Sequence, residues 1–289
     1  GITQLLWIAE GSTSYFQSQL LLRAGVMTVK EFFEDLAKRV AQSERTPGRE
    51  MQSIASASAN QWVSTGGDYA VNHSTNIYSE GYLTSLALDF SLLEQTKLKR
   101  SYRDVHRQLY QSHRIPAGYN VADVKSILKK VSGSSYESWW QQHVNTPISL
   151  DFEALLAQAG LKAGYADDAK SEPFIGVTLA ADSLVLAKVL RNGPAWNAGV
   201  VLGDEIVAIN GLKVTAAGFA ARIKDFKAGG NITLTLFSND RLKEVELTLA
   251  EQKSGKLAIS SVAKPTRSQK AFFKAWLGVD WPFDNDGKL

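Results

Sequence analysis

The chain has 289 residues, 44% hydrophobic and 21% charged, a composition typical of a globular protein with one large or two moderate domains. Its net charge is only +3 and its Lys and Arg residues are scattered, so the sequence indicates no nucleic-acid partner and no anionic membrane surface. The absence of cysteine excludes disulfides, thiolate metal sites and a cysteine nucleophile. No apolar run approaches the ~18 residues of a membrane span, which predicts a soluble protein without a membrane span.

The compartment stays open, because a lack of cysteine does not separate a bacterial-type cytoplasm from a periplasm. The N-terminus shows no basic segment followed by an apolar one, so no signal peptide is visible in this sequence. The sequence starts at Gly1 inside an apolar pattern, which we interpret as the start of a fragment.

The first half of the chain has the three- and four-residue apolar spacing of helices. Thr28 precedes one of these segments as an N-cap, and Gly25 and Gly160 follow two others as stop signals. The predicted helices cover residues 4–23, 29–43, 78–94, 102–113, 121–131, 136–144 and 152–158. Residues 46–76 are rich in Ser, Ala, Gly and Asn and are predicted to be irregular. An irregular segment of this length in a compact domain is usually a functional loop or one that contacts a partner.

A polar segment with Gly and Pro at residues 164–173 predicts a linker, after which the apolar period changes to two. The predicted strands are FIGVTL, LVLAKVL, EIVAIN, ITLTLF and EVELTL, with one helix near residues 216–227 and another at 269–277. We therefore predict a multidomain α plus β protein. Its parts are a helical domain (1–163), a small β-barrel or sandwich with one or two helices (164–262) and a tail with a short helix (263–289).

FIGVTL at residues 174–179, followed by VLRNGPAWNAGVVLGDEIVAINGLKV at 189–214, closely resembles a PDZ domain. The resemblance implies that Phe174, Ile175, Gly176 and Val177 bind the carboxylate of a peptide C-terminus through backbone amides, next to an open strand edge. The alternative, about equally favoured by the sequence, is that this groove only contacts a neighbouring domain of the same chain.

Glu10 is the only formally charged side chain between Gly1 and Leu22, in the apolar string LLWIAEGSTSYF. A buried unpaired charge costs several kcal/mol, by the usual rough figure. Periodicity alone therefore favours a buried ion pair with an arginine from another helix, such as Arg39 or Arg103.

The sequence motif around Glu10 changes this interpretation. LWIAEGSTSYF resembles the helix after HExxH in the gluzincin zinc metallopeptidases, and it looks most like the glycyl aminopeptidase family, whose members also carry a C-terminal PDZ domain. The resemblance implies a thermolysin-like helical subdomain in which Glu10 is the carboxylate ligand of zinc.

A second segment, NIYSEGYLTSLALDF at residues 76–90, resembles that family's YYxKG helix start. The resemblance implies that Tyr78 donates a hydrogen bond to the oxyanion formed during peptide hydrolysis. The segment departs from the family pattern at Ile77, where a tyrosine is usual, and at Glu80, where a lysine is usual.

No HExxH occurs in the sequence, and none of the four histidines, His73, His106, His113 and His143, has a second histidine four residues later. We therefore expect the C-terminal half of a zinc aminopeptidase that removes small N-terminal residues (Gly or Ala) from peptide substrates. Two zinc ligands would come from the N-terminal half of the same protein, and this chain alone would be inactive. The alternative is a non-catalytic PDZ adaptor that binds peptide C-termini.

Overall fold

The computed structural model describes residues 2–63, 66–165, 169–284, 287 and 289. The chain forms two compact units, each with a separate hydrophobic core. The first contains Gly1–Ser64, Ser74–Gly164 and Leu257–Leu289, and the second contains Thr65–His73 and Tyr165–Lys256. The two units do not follow the three consecutive domains predicted from the sequence. A short segment near residue 70 belongs to the second unit, and the C-terminal tail belongs to the first.

The first unit is mainly helical. Its elements are a π-helical turn (Trp7–Gly11), α1 (Ser12–Arg23), α2 (Val29–Glu44), α3 (Ile54–Asn60) and α5 (Ser79–Gln95). These are followed by α6 (Tyr102–His113), α7 (Val121–Ser132), α8 (Glu137–His143), α9 (Phe152–Gln158) and α12 (Arg267–Leu277), with 3₁₀ turns at Pro47–Glu50 and Gln61–Val63. The strands β1 (Leu161–Tyr165) and β10 (Leu257–Ser261) pair with each other.

Helix ends in this unit follow the chemistry expected from the sequence. Thr28 and Glu31 form a capping box at the start of α2, and Gly160 lies at φ +71° directly after α9. The helix α5 is buried along most of its length and on most sides, which is typical of a helix at the centre of a core. The π-helical turn, α1, α2, α6 and α12 pack against α5.

One buried polar network joins α1, α5, α6 and α12. The hydroxyl of Tyr15 donates to Asp89 (2.6 Å) and accepts from the indole N–H of Trp276 (2.8 Å) and the amide of Gln19 (3.0 Å). Asp89 also accepts from the backbone N–H of Tyr102 (2.8 Å). Burial raises the pKa of the Asp89 carboxyl, whereas these hydrogen bonds lower it.

In its described residues, the second unit contains most of the strands and three short helices. Its strands are β2 (Ser171–Phe174), β3 (Val177–Leu179), β4 (Leu186–Val189), β5 (Glu205–Ile209), β6 (Leu212–Lys213), β7 (Asn231–Ser238), β8 (Arg241–Thr248) and β9 (Ala250–Lys253). The pairs β2·β9 and β3·β4 are antiparallel, and a four-stranded antiparallel sheet has the order β6-β5-β7-β8. The helices are α4 (Gly67–His73), α10 (Pro194–Asn197) and α11 (Phe219–Lys224).

The helix α4 is fixed to β4 by two side chains. The carboxylate of Asp68 accepts from the N–H of Val189 (2.7 Å). Asn72, which is completely buried, accepts from the N–H of Arg191 (2.8 Å) and donates to the carbonyl of Val189 (2.8 Å). These side chains satisfy both backbone groups of Val189, the last residue of β4, and the N–H of Arg191 just after it, which would otherwise lack partners.

Several sequence predictions need correction. The stretch 46–76 is not irregular, since it contains α3, α4 and two 3₁₀ turns, whose small and polar residues show no clear apolar period. FIGVTL is not one strand, because Gly176 lies at φ +81° and separates β2 from β3. The predicted helix 216–227 is shorter, at Phe219–Lys224, and the predicted linker 164–173 includes residues 166–168, which lie outside the described residues.

The predicted hairpin turn at Asn210 and Gly211 is confirmed. Both residues have positive φ, +50° and +72°, as a type I′ turn requires, and Ile209 pairs with Leu212 across it. Among the described residues, no helix combines the length and the apolar character that crossing a membrane would need.

Candidate functional site

Glu10 lies in the π-helical turn that precedes α1. The N–H of Ser12 reaches the carbonyl of Trp7, five residues back, so that the helix is locally wider than an α-helix. Turns of this type are rare and are frequent at functional sites, since they displace one side chain from the regular helical face. The carbonyl of Glu10 accepts from the hydroxyl of Ser14 (2.8 Å), which holds the following turn.

The carboxylate of Glu10 is half-buried, and no side chain in the described part of the protein forms a hydrogen bond or ion pair with it. The two arginines considered as partners are engaged elsewhere. Arg39 pairs with Asp35 (3.1 Å), and Arg103 donates to Gln19 (2.7 Å). The ion-pair interpretation of Glu10 is therefore wrong, and the carboxylate is available to a ligand.

The segment that carries Glu10 crosses α5 at very short range. A methyl group placed on Gly11 would lie 2.5 Å from Cα of Gly81 and 2.9 Å from the carbonyl oxygen of Ile77. Only glycine permits this approach, because carbon atoms separated by less than about 3 Å clash. The chain neighbours of Glu10 and of Tyr78 are thus in direct backbone contact.

Tyr78 lies at the N-terminal end of α5, and its side chain is 43% exposed. The side chain of Asn76 accepts from the backbone N–H groups of Tyr78 (2.9 Å) and Ser79 (3.1 Å), and so caps the first turn. No described residue forms a hydrogen bond with the Tyr78 hydroxyl. The phenol can therefore donate to a ligand from a helix end that is held in place.

A buried carboxylate close to Tyr78 was missed by the sequence interpretation. Glu80 is 3% exposed and accepts from the hydroxyl of Ser43 (3.0 Å), which accepts in turn from the guanidinium of Arg49 (2.9 Å). Burial raises the pKa of the Glu80 carboxyl, and the Ser43 hydrogen bond and the Arg49 charge lower it. The feature of the sequence that could have indicated this buried carboxylate is Glu80 itself, which stands where the family pattern has lysine.

The donor chemistry of this region fits a single metal ligand. A free, half-buried carboxylate on a widened helix suits one oxygen bond to a zinc ion. Within the described ranges, however, no group of three or more His, Cys, Asp or Glu side chains could hold a metal ion.

The four residues of the predicted carboxylate-binding loop join β2 to β3. The carbonyls of Ile175 and Gly176 accept from the N–H groups of Ala195 (3.1 Å) and Leu190 (2.8 Å). In a trans peptide the N–H points away from the C=O of the same unit. The N–H groups of Gly176 and Val177 therefore point away from the residues that hold the loop.

A groove of about 320 Å³ lies between this loop and α11. Its walls are mostly apolar, and they include the following side chains from both elements: Phe174, Ile175, Val177, Leu179, Phe219 and Ile223. Lys224 adds a positive charge to the lining. The α11 wall was missed by the sequence interpretation because nothing in the local pattern of that helix indicates which strand it faces.

Residues 1–84 match the family model described as M61 glycyl aminopeptidase, which confirms the resemblance that the sequence indicates. That family is one of metallopeptidases, which implies a metal. No curated protein sequence matches the chain.

An aminopeptidase N family protein from Idiomarina loihiensis has a similar crystal structure, with a TM-score of 0.78 and 24% sequence identity. The match covers 96% of this chain and 49% of that one, so this chain spans about half the length of the similar structure. At this identity the match shows the fold alone, a mixed arrangement of helices and sheets.

Two further matches are local. A serine endoprotease from Yersinia pestis is 25% identical over 28% of this chain and 30% of that chain, with a TM-score of 0.26. The HtrA3 PDZ domain bound to a phage-derived ligand is 15% identical over 31% of this chain and 92% of that chain, with a TM-score of 0.24. At these TM-scores neither match carries an argument about this chain.

Proposed function

We propose that this chain is the C-terminal part of a zinc-dependent aminopeptidase that removes small N-terminal residues, Gly or Ala, from peptides. The observation that carries the proposal is the free carboxylate of Glu10, on a π-helical turn in backbone contact with the segment of Tyr78. The match of residues 1–84 to the M61 family supports it. The two remaining zinc ligands would come from a part of the protein outside this sequence.

In this proposal Glu10 and Tyr78 have different roles in catalysis. Glu10 would hold a zinc ion through a carboxylate oxygen, and the zinc would supply a Lewis acid for the substrate carbonyl. Tyr78 supplies the second group, a phenol that can act as a hydrogen-bond donor. Its O–H donates to the oxyanion that develops on the substrate carbonyl, and a preorganised donor of this kind is worth about 10²–10³ in kcat.

The test uses the full-length protein, with zinc content and hydrolysis of glycyl and alanyl p-nitroanilide as readouts. We expect Glu10→Gln to lose zinc, and Tyr78→Phe to keep zinc while kcat falls about 100-fold. Glu153→Gln, an exposed residue of α9, is the matched control and should change neither readout. Full zinc occupancy in the Glu10→Gln variant would contradict the proposal.

The 289-residue chain alone should bind zinc weakly and should not hydrolyse these substrates, since one carboxylate is a poor zinc site. Stoichiometric, chelator-sensitive zinc with activity in this polypeptide would show that the assignment of ligands is wrong. If the full-length protein also lacks zinc and activity, the non-catalytic PDZ adaptor becomes the better explanation.

We infer a second function for the β2–β3 loop, which is binding of a peptide C-terminus in a PDZ-like groove. The directions of the Gly176 and Val177 amides support it, as does the apolar groove between the loop and α11. A peptide strand added next to β3 would place its carboxylate at these amides and its last apolar side chain in the groove.

Fluorescence polarisation with a library of C-terminal peptides tests this function. The same peptides with a C-terminal carboxamide should bind at least tenfold more weakly, because they lack the charge that the amides recognise. Gly176→Val should abolish binding. Gly229→Ala controls for strain alone, since Gly229 also has a positive φ, +78°, and nothing lies within 4 Å of its added methyl group. Equal binding of acids and carboxamides would overturn this function and would favour contact with a neighbouring domain.

A further inference from the structure

Tyr78 and Glu80 lie on opposite sides of the first turn of α5. Two residues along a helix rotate the side-chain direction by about 200°. Tyr78 is 43% exposed, and Glu80 is 3% exposed. Whatever holds Glu80 at the back of this turn therefore also fixes the backbone that carries Tyr78 at the front.

The contacts of Glu80 have a defined direction. The guanidinium of Arg49 can only donate, so the hydroxyl of Ser43 accepts a hydrogen bond from it (2.9 Å). The Ser43 O–H is then free to donate its own hydrogen bond to the Glu80 carboxylate (3.0 Å). Ser43 is completely buried at the end of α2. These hydrogen bonds from Arg49 to Ser43 and from Ser43 to Glu80, here called the relay, connect the first turn of α5 to the end of α2 and to the 3₁₀ turn Pro47–Glu50.

The 3₁₀ turn also supports the chain that leads to Tyr78. Gly48 lies against the backbone of Ser74, where an added methyl group would be 2.8 Å from the Ser74 nitrogen. The N–H of Thr75 donates to the side chain of Gln52 (2.9 Å), and its hydroxyl donates to the Gln52 carbonyl (3.0 Å). Residues on both sides of Tyr78 are therefore fixed to the same short segment.

We propose that Glu80, with Ser43 and Arg49, is a positioning residue for Tyr78, which fixes the first turn of α5 so that the phenol points to the reacting carbonyl. The inference rests on the function proposed for Tyr78. It explains why a carboxylate is kept at a buried position, where it needs a hydroxyl and a guanidinium to remain stable. A glutamate in the first helical turn also interacts favourably with the helix dipole.

The first experiment does not need an active enzyme. Tyrosines of the 289-residue chain are replaced by 3-fluorotyrosine, and the ¹⁹F signal of Tyr78 is assigned by its loss in Tyr78→Phe. We expect Glu80→Gln and Ser43→Ala to shift and broaden the Tyr78 signal. Asp89→Asn, at the other buried carboxylate of α5, is the control for lost stability alone and should leave the Tyr78 signal unchanged. A wild-type Tyr78 signal in both relay variants would overturn the proposal.

The second experiment is a double-mutant cycle in the full-length protein with glycyl p-nitroanilide. Glu80→Gln should lower kcat about tenfold with less than a twofold change in KM, because a displaced donor weakens only the transition state. In a Tyr78→Phe background the same change should cost less than twofold. Additive losses would overturn the positioning role. A Tyr78→Phe variant with unchanged kcat would instead contradict the proposed function of Tyr78, and the ¹⁹F result would still decide the role of Glu80.

Discussion

His106 shows how one buried residue makes the stability of the protein depend on pH. Its ring packs edge-on against Phe16 and Tyr102, with centroid distances of 4.9 and 4.7 Å. Its Nε2 is buried and has no hydrogen-bond partner in the described part of the chain. Burial lowers the pKa of His106 to about 4, because the charged imidazolium would be poorly solvated there.

The pH dependence has a definite sign. The unfolded chain takes up a proton at this histidine near pH 6.5, whereas the folded chain does so only near pH 4. The contribution of His106 to the free energy of unfolding is therefore fully present above pH 6.5 and is lost as the pH falls toward 4. The loss is on the order of 3 kcal/mol. His106→Phe should remove this part of the pH dependence in urea unfolding between pH 7 and 4. His73→Phe, at a half-buried histidine, should retain it, and an unchanged slope in the His106 variant would contradict the prediction.

At the scale of elements, the crossing of the π-helical turn with α5 depends on two glycines. Gly11→Ala would place a methyl group 2.5 Å from Cα of Gly81, and backbone atoms cannot yield as a flexible side chain does. We expect a loss of about 1–3 kcal/mol in the free energy of unfolding, the usual cost of overpacking. Urea unfolding measures it. Gly164→Ala should change stability little, since nothing lies within 4 Å of that position, and equal effects of both substitutions would show that the crossing is loose.

The attachment of α4 to β4 gives a prediction for single amides. Asn72→Ala removes the acceptor for the N–H of Arg191, and Asp68→Ala removes the acceptor for the N–H of Val189. Hydrogen exchange measured by NMR should become faster at Arg191 in the first variant and at Val189 in the second, by about tenfold for each lost bond. Each variant is the control for the other, and identical exchange patterns in both would mean that α4 detaches as a whole.

Most elements could be predicted from the sequence where their pattern was long and periodic. The helices α2, α6, α7 and α9 lie where apolar spacing placed them, within one residue at each end. The short helices α3 and α4 could not be found, because their sequences IASASAN and GDYAVNH are mostly small or polar and show no apolar period, whereas α9 (FEALLAQ), of equal length, has one. Propensity along the chain also does not indicate that α4 packs on a strand more than 100 residues later.

The candidate site was predictable only in part, for a similar reason. Glu10 and Tyr78 stood out because each lies within a distinctive local string. The relay of Arg49, Ser43 and Glu80 and the α11 wall of the groove join residues far apart in sequence, and no local rule specifies such contacts. The exclusion of Arg39 and Arg103 as partners of Glu10 likewise required the fold, because it depends on which carboxylates and carbonyls lie nearer to them.

At the scale of the whole molecule, the two separate cores predict two unfolding transitions. Leu36 is completely buried in the core of the first unit and Leu234 in the core of the second. Truncating a buried leucine to alanine costs about 3 kcal/mol, through lost burial and the cavity that remains. In differential scanning calorimetry, Leu36→Ala should lower the transition with the larger enthalpy, since enthalpy scales with the number of residues, and Leu234→Ala should lower the other by several degrees. Leu212→Ala, at a side chain 56% exposed, should shift neither transition. A single transition lowered equally by both core variants would show that the units unfold together.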